Sequence, residues 1–443
     1  MRLEPLPYHL KVRDHFKKQK QTWSFFEAAG TKEEQLLQLQ SELLKNTYKF
    51  SPVSEAFIYE QIDLAKQKLG LGNLAVTAYQ AQHNEDSNAS ILFIHNVAHL
   101  VFSGNITQKL DSDELLAVIT HELAHIKFYS FSDGELETAD RIINAIAGSY
   151  ECGPSYRETA RLFRLYLEIF CDRAAYSVLE REGPVISMLV KIATGLDKVD
   201  PDTYLRQAEE VIAASGSIKT SMPTHPENFI RAKALHLWHS GPADAEEGII
   251  AILEGGADLD RLDIFSQEEL TGMTRSFLQS YLQPVWYQTA IIGSLAKQYF
   301  SGFSWSGKTS ARPMPETPAE GNPGPEKLPE PASEKGDRPE GIGNEFPGSE
   351  AGEQGQALEA IRAKIAGAHG SIRDYFSYVL LDFALADPSL EEVPAGRAFH
   401  FAERLGLEES YAGIVKKQLQ LSDKKMQQYK QKSLTAYREL KED

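Results

Sequence analysis

Two cysteines in 443 residues, Cys152 and Cys171, are too few for a disulfide framework and lean towards a reducing compartment. Long apolar runs are missing as well. The longest, such as ILFI and AIIGSLA, fall far short of the roughly 20 residues that span a bilayer. The opening residues, MRLEPLPYHLKVRDHFKKQK, carry no apolar signal core behind their charges. Positive charge is scarce: 46 Lys and Arg stand against 63 Asp and Glu, a formal net charge of −17. Phosphate backbones and anionic lipid repel such a chain, so neither nucleic acid nor a membrane is an expected partner. The expectation is a cytoplasmic protein without a membrane span.

What is present is ordinary globular material, 42% hydrophobic and 25% charged. Residues 1–50 are read as a polar helical segment and 51–240 as the main domain. That domain opens with an amphipathic helix behind Ser51 and Pro52 and continues through two strand-like stretches, NLAVTAYQA and SILFIHNVAHLVFSG. Helical periodicity then holds through most of the domain. Residues 241–302 are read as a helical extension. Residues 303–356 hold 9 of the 21 prolines and few large apolar side chains, which predicts a disordered linker. Residues 357–443 return to helical patterning as a C-terminal module.

The stretch VITHELAHIKF, residues 118–128, carries the chemistry. His121 and His125 are four apart, so on a helix both imidazoles leave one face and can reach one ion. Neutral imidazole suits zinc, at about 2.0–2.1 Å from nitrogen to metal. Glu122 follows the first histidine and is placed to act as general base and acid on an attacking water. The bland alternative is a helix with two chance histidines. Val118, Leu123 and Ala124 make the helix a buried one, however, where such polar groups are costly without a partner. Asp111, or Ser112 beside it, can cap this helix, with Glu114 completing a capping box.

A third ligand must come from elsewhere. The pattern with glycine and histidine three and six residues after the second histidine is excluded, because Phe128 and Phe131 stand there. In YLEIFCDRAA, Glu168 and Asp172 are four apart on an otherwise apolar helix. Glu168 is read as the ligand, giving a two-His, one-Glu site for one zinc ion with a position left open. Asp172 is read as accepting an N–H from His121 or His125. Glu135, Glu137 and Asp140 are weaker rivals. Cys171 is read as packing, and His95 and His99, on what looks like a single strand, as packing or substrate-side residues.

These stretches resemble the HtpX and CAAX-prenyl-endopeptidase family of gluzincin metallopeptidases. The resemblance rests on DELLAVITHELAHI, EIFCDRAA, PTHPENFIRAKAL and the strand ILFIHNVAHLVFSG, and covers roughly residues 50–235. It implies zinc endopeptidase activity on protein or peptide substrates, with the strand around residues 90–103 as the edge along which substrate lies. It makes His225 an active-site histidine that either stabilises the oxyanion or occupies zinc's open position. It makes Arg231 a supporting arginine paired with an acid such as Asp172. The C-terminal module resembles, on the short stretch AERLGL and an acidic loop before it, the all-helical TerB-like domain, and a protein partner for it is one expectation.

The expected architecture is α+β and mainly helical: a zincin-like domain with a small sheet, followed by helical additions. The expected function is zinc-dependent peptide hydrolysis. The alternative is a non-proteolytic chaperone or scaffold that keeps a zinc site, which would have no need of Glu122.

Overall fold

The computed structural model describes residues 3–28, 33–82, 87–214, 220, 224–241, 244–305 and 352–442. Most of the expected linker, 306–351, lies outside the described residues. The chain is mainly helical with one four-stranded sheet, and it divides into two compact units, residues 1–268 and 269–443. No described helix is long and apolar enough to cross a membrane.

The first unit begins with helices α1 (Pro7–Lys17), α2 (Lys20–Ala28) and α3 (Glu33–Asn46). Residues 1–50 are not wholly helical, because β1 (Thr47–Lys49) follows α3 and pairs with the sheet. Then come α4 (Ala56–Leu69), β2 (Ala75–Ala81), β3 (Asn88–Ile94), β4 (Val97–Ser103) and the short α5 (Ile106–Lys109). The strand order is β1-β2-β4-β3, with β2 and β4 parallel and the other pairs antiparallel. The stretch read from sequence as one strand is therefore a hairpin. His95 and Asn96 form its tip, both with positive φ (50° and 62°), as a two-residue type I′ turn requires. The sheet edge beside the cleft described below is β3 alone, Asn88–Ile94, while β4 is internal. His95 and His99 thus do not share a strand; His99 is buried in β4, its Nδ1 3.0 Å from the Tyr79 hydroxyl.

Helices α6 (Ser112–Tyr129), α7 (Glu135–Ala147), α8 (Pro154–Leu179), α9 (Glu182–Thr194), α10 (Pro201–Ala214), α11 (Asn228–Ser240) and α12 (Ala245–Leu253) complete the unit. Helix α6 starts sharply because Asp111 caps it. Its carboxylate accepts the Asp113 and Glu114 N–H groups, and Glu114 reaches back to the Asp111 N–H. Residues Glu114–Ala124 are all buried, since α4, α8, α9 and β3 pack around this helix. An apolar side chain at such a position contributes about 1.5–3 kcal/mol.

The same glutamate ties two helices together. Glu114 Oε2 also accepts from Lys191 Nζ on α9 at 2.7 Å, and Oε1 accepts from the Ser187 hydroxyl. All three residues are buried. At the N-terminal end, His9 of α1 is wholly buried among aromatic rings, 4.5 Å from Phe128 and 4.8 Å from Phe163 between centroids. Its Nε2 donates to the Phe163 carbonyl, and burial lowers its pKa to about 3.

Helix α13 (Ile264–Tyr281) carries the chain into the second unit, which adds α14 (Ala290–Tyr299), α15 (Gly352–Ala366), α16 (Gly370–Leu385), α17 (Val393–Leu405), α18 (Glu408–Gln418) and α19 (Asp423–Glu442). Its core gathers Phe277, Tyr281, Phe376, Phe383 and Phe401. Arg397 is buried there and donates to the Tyr281 and Ser280 carbonyls and to the Tyr437 hydroxyl, with Phe401 4.7 Å from its guanidinium. Gly396 lets α17 approach α19 closely: a Cβ there would lie 2.0 Å from the Ser433 carbonyl oxygen. In the acidic loop, Asp387 accepts from the Ser389 N–H and Glu392 pairs with Lys432, so both carboxylates have local partners.

Two stability effects are expected. Lys191→Met leaves the buried Glu114 carboxylate without its cationic partner, and urea denaturation should show a loss of about 3–5 kcal/mol, partly recovered by adding Glu114→Gln. For His9, an unfolded imidazole binds a proton near pH 6.5 that the native one refuses until about pH 3. Its contribution is complete above pH 6.5 and is lost as pH falls through that window, by up to about 1.4 kcal/mol per pH unit. His9→Phe should flatten this part of the stability–pH curve.

Candidate metal centre

Three helices and one loop bring the site together. Helix α6 supplies His121, Glu122 and His125; α8 supplies Glu168, Cys171 and Asp172; α11 supplies Arg231; the segment before α11 supplies His225. The two imidazoles of α6 stand one helical turn apart, 5.3 Å between centroids and 78° between planes. Glu168 faces both. Its Oε2 lies 3.3 Å from His121 Nε2, and its Oε1 lies 3.8 Å from His125 Nε2. His225 Nε2 is 3.6 Å from the same Oε2. Glu168 is 5% exposed, and its Oε2 has no hydrogen-bond partner among the described residues.

Behind this group lies a fully paired set. Asp172 Oδ1 is 3.0 Å from His121 Nδ1. Arg231 donates through Nε and Nη2 to both oxygens of Asp172, each at 2.7 Å. The fork-to-carboxylate geometry is the strong form of such a pair. Of the two histidines that Asp172 was expected to serve, it is His121 that it contacts. The rivals for Glu168 lie outside the group: Asp140 accepts from the Tyr129 hydroxyl, and Glu135 pairs with Lys17.

The electrostatics follow from burial. Burial raises the Asp172 pKa, but Arg231 and His121 outweigh it and hold the carboxyl below its ordinary range. Burial likewise opposes charge on His121, yet Asp172 and Glu168 outweigh that and raise its pKa. His125 has less help, and desolvation lowers its pKa to about 4, leaving it neutral. Glu122 is pushed up to about 7, first by desolvation, with Glu168 adding to the effect and His121 opposing it. A carboxyl titrating near neutrality is suited to taking up and releasing a proton.

Cys171 Sγ also lies within 4.8 Å of ligand atoms of both histidines. Its thiol is wholly buried, and burial together with Glu168 and Asp172 pushes its pKa well up. The side chains that could hold a cation are the two imidazoles with either Cys171 Sγ or the Glu168 carboxylate beside them.

These groups form part of the wall of a cleft of about 730 Å³. Edge strand β3 forms one rim through Asn88–Ile91 and Phe93, and α9 forms the other through Met188, Leu189, Ile192 and Ala193. Sequence reasoning did not anticipate α9, Tyr129 or Asn228 in the cleft. Tyr129 carried a readable signal, lying four residues after His125 on the same helical face. Asn228, whose side-chain amide donates to the Leu189 carbonyl at 3.1 Å, carried none.

No family model matches this chain, and no solved structure does. The chain is 30% identical over 158 residues to the plastoglobule-localized metallopeptidase 48, chloroplastic, of Arabidopsis thaliana. The match takes in 31% of this chain and 44% of that protein, so the chain spans under half the length of this curated relative. Over that stretch, the similarity supports a relationship to a metallopeptidase.

Proposed function

We propose that the chain is a zinc-dependent endopeptidase with a zincin-like first unit of the HtpX-like gluzincin kind, in which His121, His125 and Glu168 hold one zinc ion. The observation that carries this reading is the Glu168 carboxylate. It is buried, has an oxygen without a hydrogen-bond partner, and is set 3.3 and 3.8 Å from two imidazole nitrogens. Donors at about 2.0–2.2 Å from a tetrahedral zinc are about 3.3–3.5 Å from one another; the His121–Glu168 separation matches this, the His125 separation, to the other carboxylate oxygen, is somewhat longer, and the donor types suit zinc. The 30% identity to a metallopeptidase agrees with it.

Bound zinc supplies Lewis acidity and lowers the pKa of water from 15.7 towards roughly 7. The protein's own residues do the rest. Asp172, charged and fixed by Arg231, holds His121 with Nδ1 protonated, so that Nε2 presents its lone pair to the cleft. Strand β3 offers its free backbone edge to an extended substrate. Glu122 accepts a proton from the attacking water and passes it to the leaving amine. His225, exposed at the cleft, is placed to donate to the carbonyl oxygen as negative charge develops there.

Two outcomes test this. Glu122→Gln should retain about one zinc per chain by elemental analysis while casein cleavage falls by on the order of 10²–10⁴-fold. Full activity in that variant, or absence of bound metal in the wild type, sinks the proposal. Asp172→Asn should weaken zinc binding by about 10–100-fold in a chelator competition, because the amide cannot hold His121 in the same way.

A further inference from the structure

We infer that the Asn228 side-chain oxygen accepts a backbone N–H of the bound substrate, on the edge of the substrate strand turned away from β3. The inference rests on the peptidase reading and deepens it by naming a substrate-positioning residue.

The need for such a group follows from strand geometry. Successive residues of an extended chain send their N–H and C=O groups alternately to opposite edges. A substrate paired with β3 satisfies every second residue there. The residues between them turn their N–H groups towards the opposite rim, formed by α9 and the start of α11. A donor taken from water into the cleft without an acceptor weakens binding.

That rim offers few side-chain acceptors. The α9 residues bordering the cleft, Met188, Leu189, Ile192 and Ala193, are apolar. Arg231 carries donors alone, and they hold Asp172. His225 has Nδ1 3.0 Å from the Thr224 hydroxyl and Nε2 3.6 Å from Glu168. Asn228 is the remaining polar side chain on this side among the described residues.

The fold sets which way its amide points. The Leu189 carbonyl is an acceptor, so the end of Asn228 that lies 3.1 Å from it is the NH2 group. The oxygen is at the other end and takes up no hydrogen bond among the described residues. Asn228 is half-buried at the first position of α11, a turn closed by the Ile230 and Arg231 N–H groups donating to the Glu227 carbonyl. Arg231 lies three residues on, and its fork to Asp172 fixes α11 against α8. The acceptor is thus presented from a rigid element, three residues after His225.

The test uses the full chain with zinc and a set of peptide substrates. Each has one backbone amide outside the scissile bond replaced by an ester, which removes a single N–H. In the wild type, one ester on the edge facing away from β3 should lower kcat/KM about 5-fold or more. That position should be an odd number of residues from those whose esters weaken pairing with β3. Asn228→Ala should abolish this one penalty and leave the others in place, while Asn228→Asp, which keeps an acceptor, should retain it. Comparing each ester between variants cancels the effect of its weaker carbonyl. A purely structural tie between α9 and α11 would instead lower activity on amide and ester peptides alike, in both variants. Binding gives a second readout without turnover. In the Glu122→Gln background the same ester should weaken binding of a labelled peptide about 5-fold or more, and adding Asn228→Ala should remove the difference. No penalised ester on the far edge, or equal penalties in wild type and Asn228→Ala, with casein still cleaved, overturns this inference and leaves the peptidase standing. A wild type that neither binds zinc nor cleaves casein overturns both.

Discussion

Asp172 cannot keep its charge at 1% exposure without partners, and the way it is partnered organises the site. Arg231 gives it two short hydrogen bonds from α11, and His121 approaches its Oδ1 from α6. One carboxylate on α8 thereby sets the relative positions of three helices. Removing any member leaves a buried charge or a free imidazole rotor. The geometry around Glu168, four residues earlier on the same helix, depends on this arrangement, since the face of α8 that carries Asp172 also carries Glu168.

The contrast between the two carboxylates is informative. Asp172 has its hydrogen-bonding needs met by protein groups, while Glu168 keeps an oxygen without a hydrogen-bond partner. Burial is similar and satisfaction is not, and a buried acceptor without a hydrogen-bond partner costs about 1–3 kcal/mol.

Much of this centre was legible because helices have a fixed repeat. Spacing alone placed His121 with His125, and Glu168 with Asp172, on common faces, and the capping box at Asp111 was readable from residue types. The hairpin was not legible. His95–Asn96 lacks the glycine that usually marks a type I′ turn, and continuous apolar patterning ran through it, so one strand was expected where two occur. Strand β1 was missed for a related reason: Thr47–Lys49 is short and is held by its pairing with β2 rather than by its own pattern.

By itself, the sequence determined the local chemistry: which helix carries the imidazoles, which carries the carboxylates, and that both are buried. These depend on residue type and on a repeat of 3.6 residues, which are properties of short segments. Only the tertiary structure decided that Asp172 meets His121 rather than His125, that Arg231 closes the pair, and that α9 supplies the apolar wall of the cleft. Those contacts join residues 51 and 59 positions apart, or lie between helices whose crossing is set by packing. No local pattern encodes a distance across a core, because it results from how all the buried side chains fill the space together.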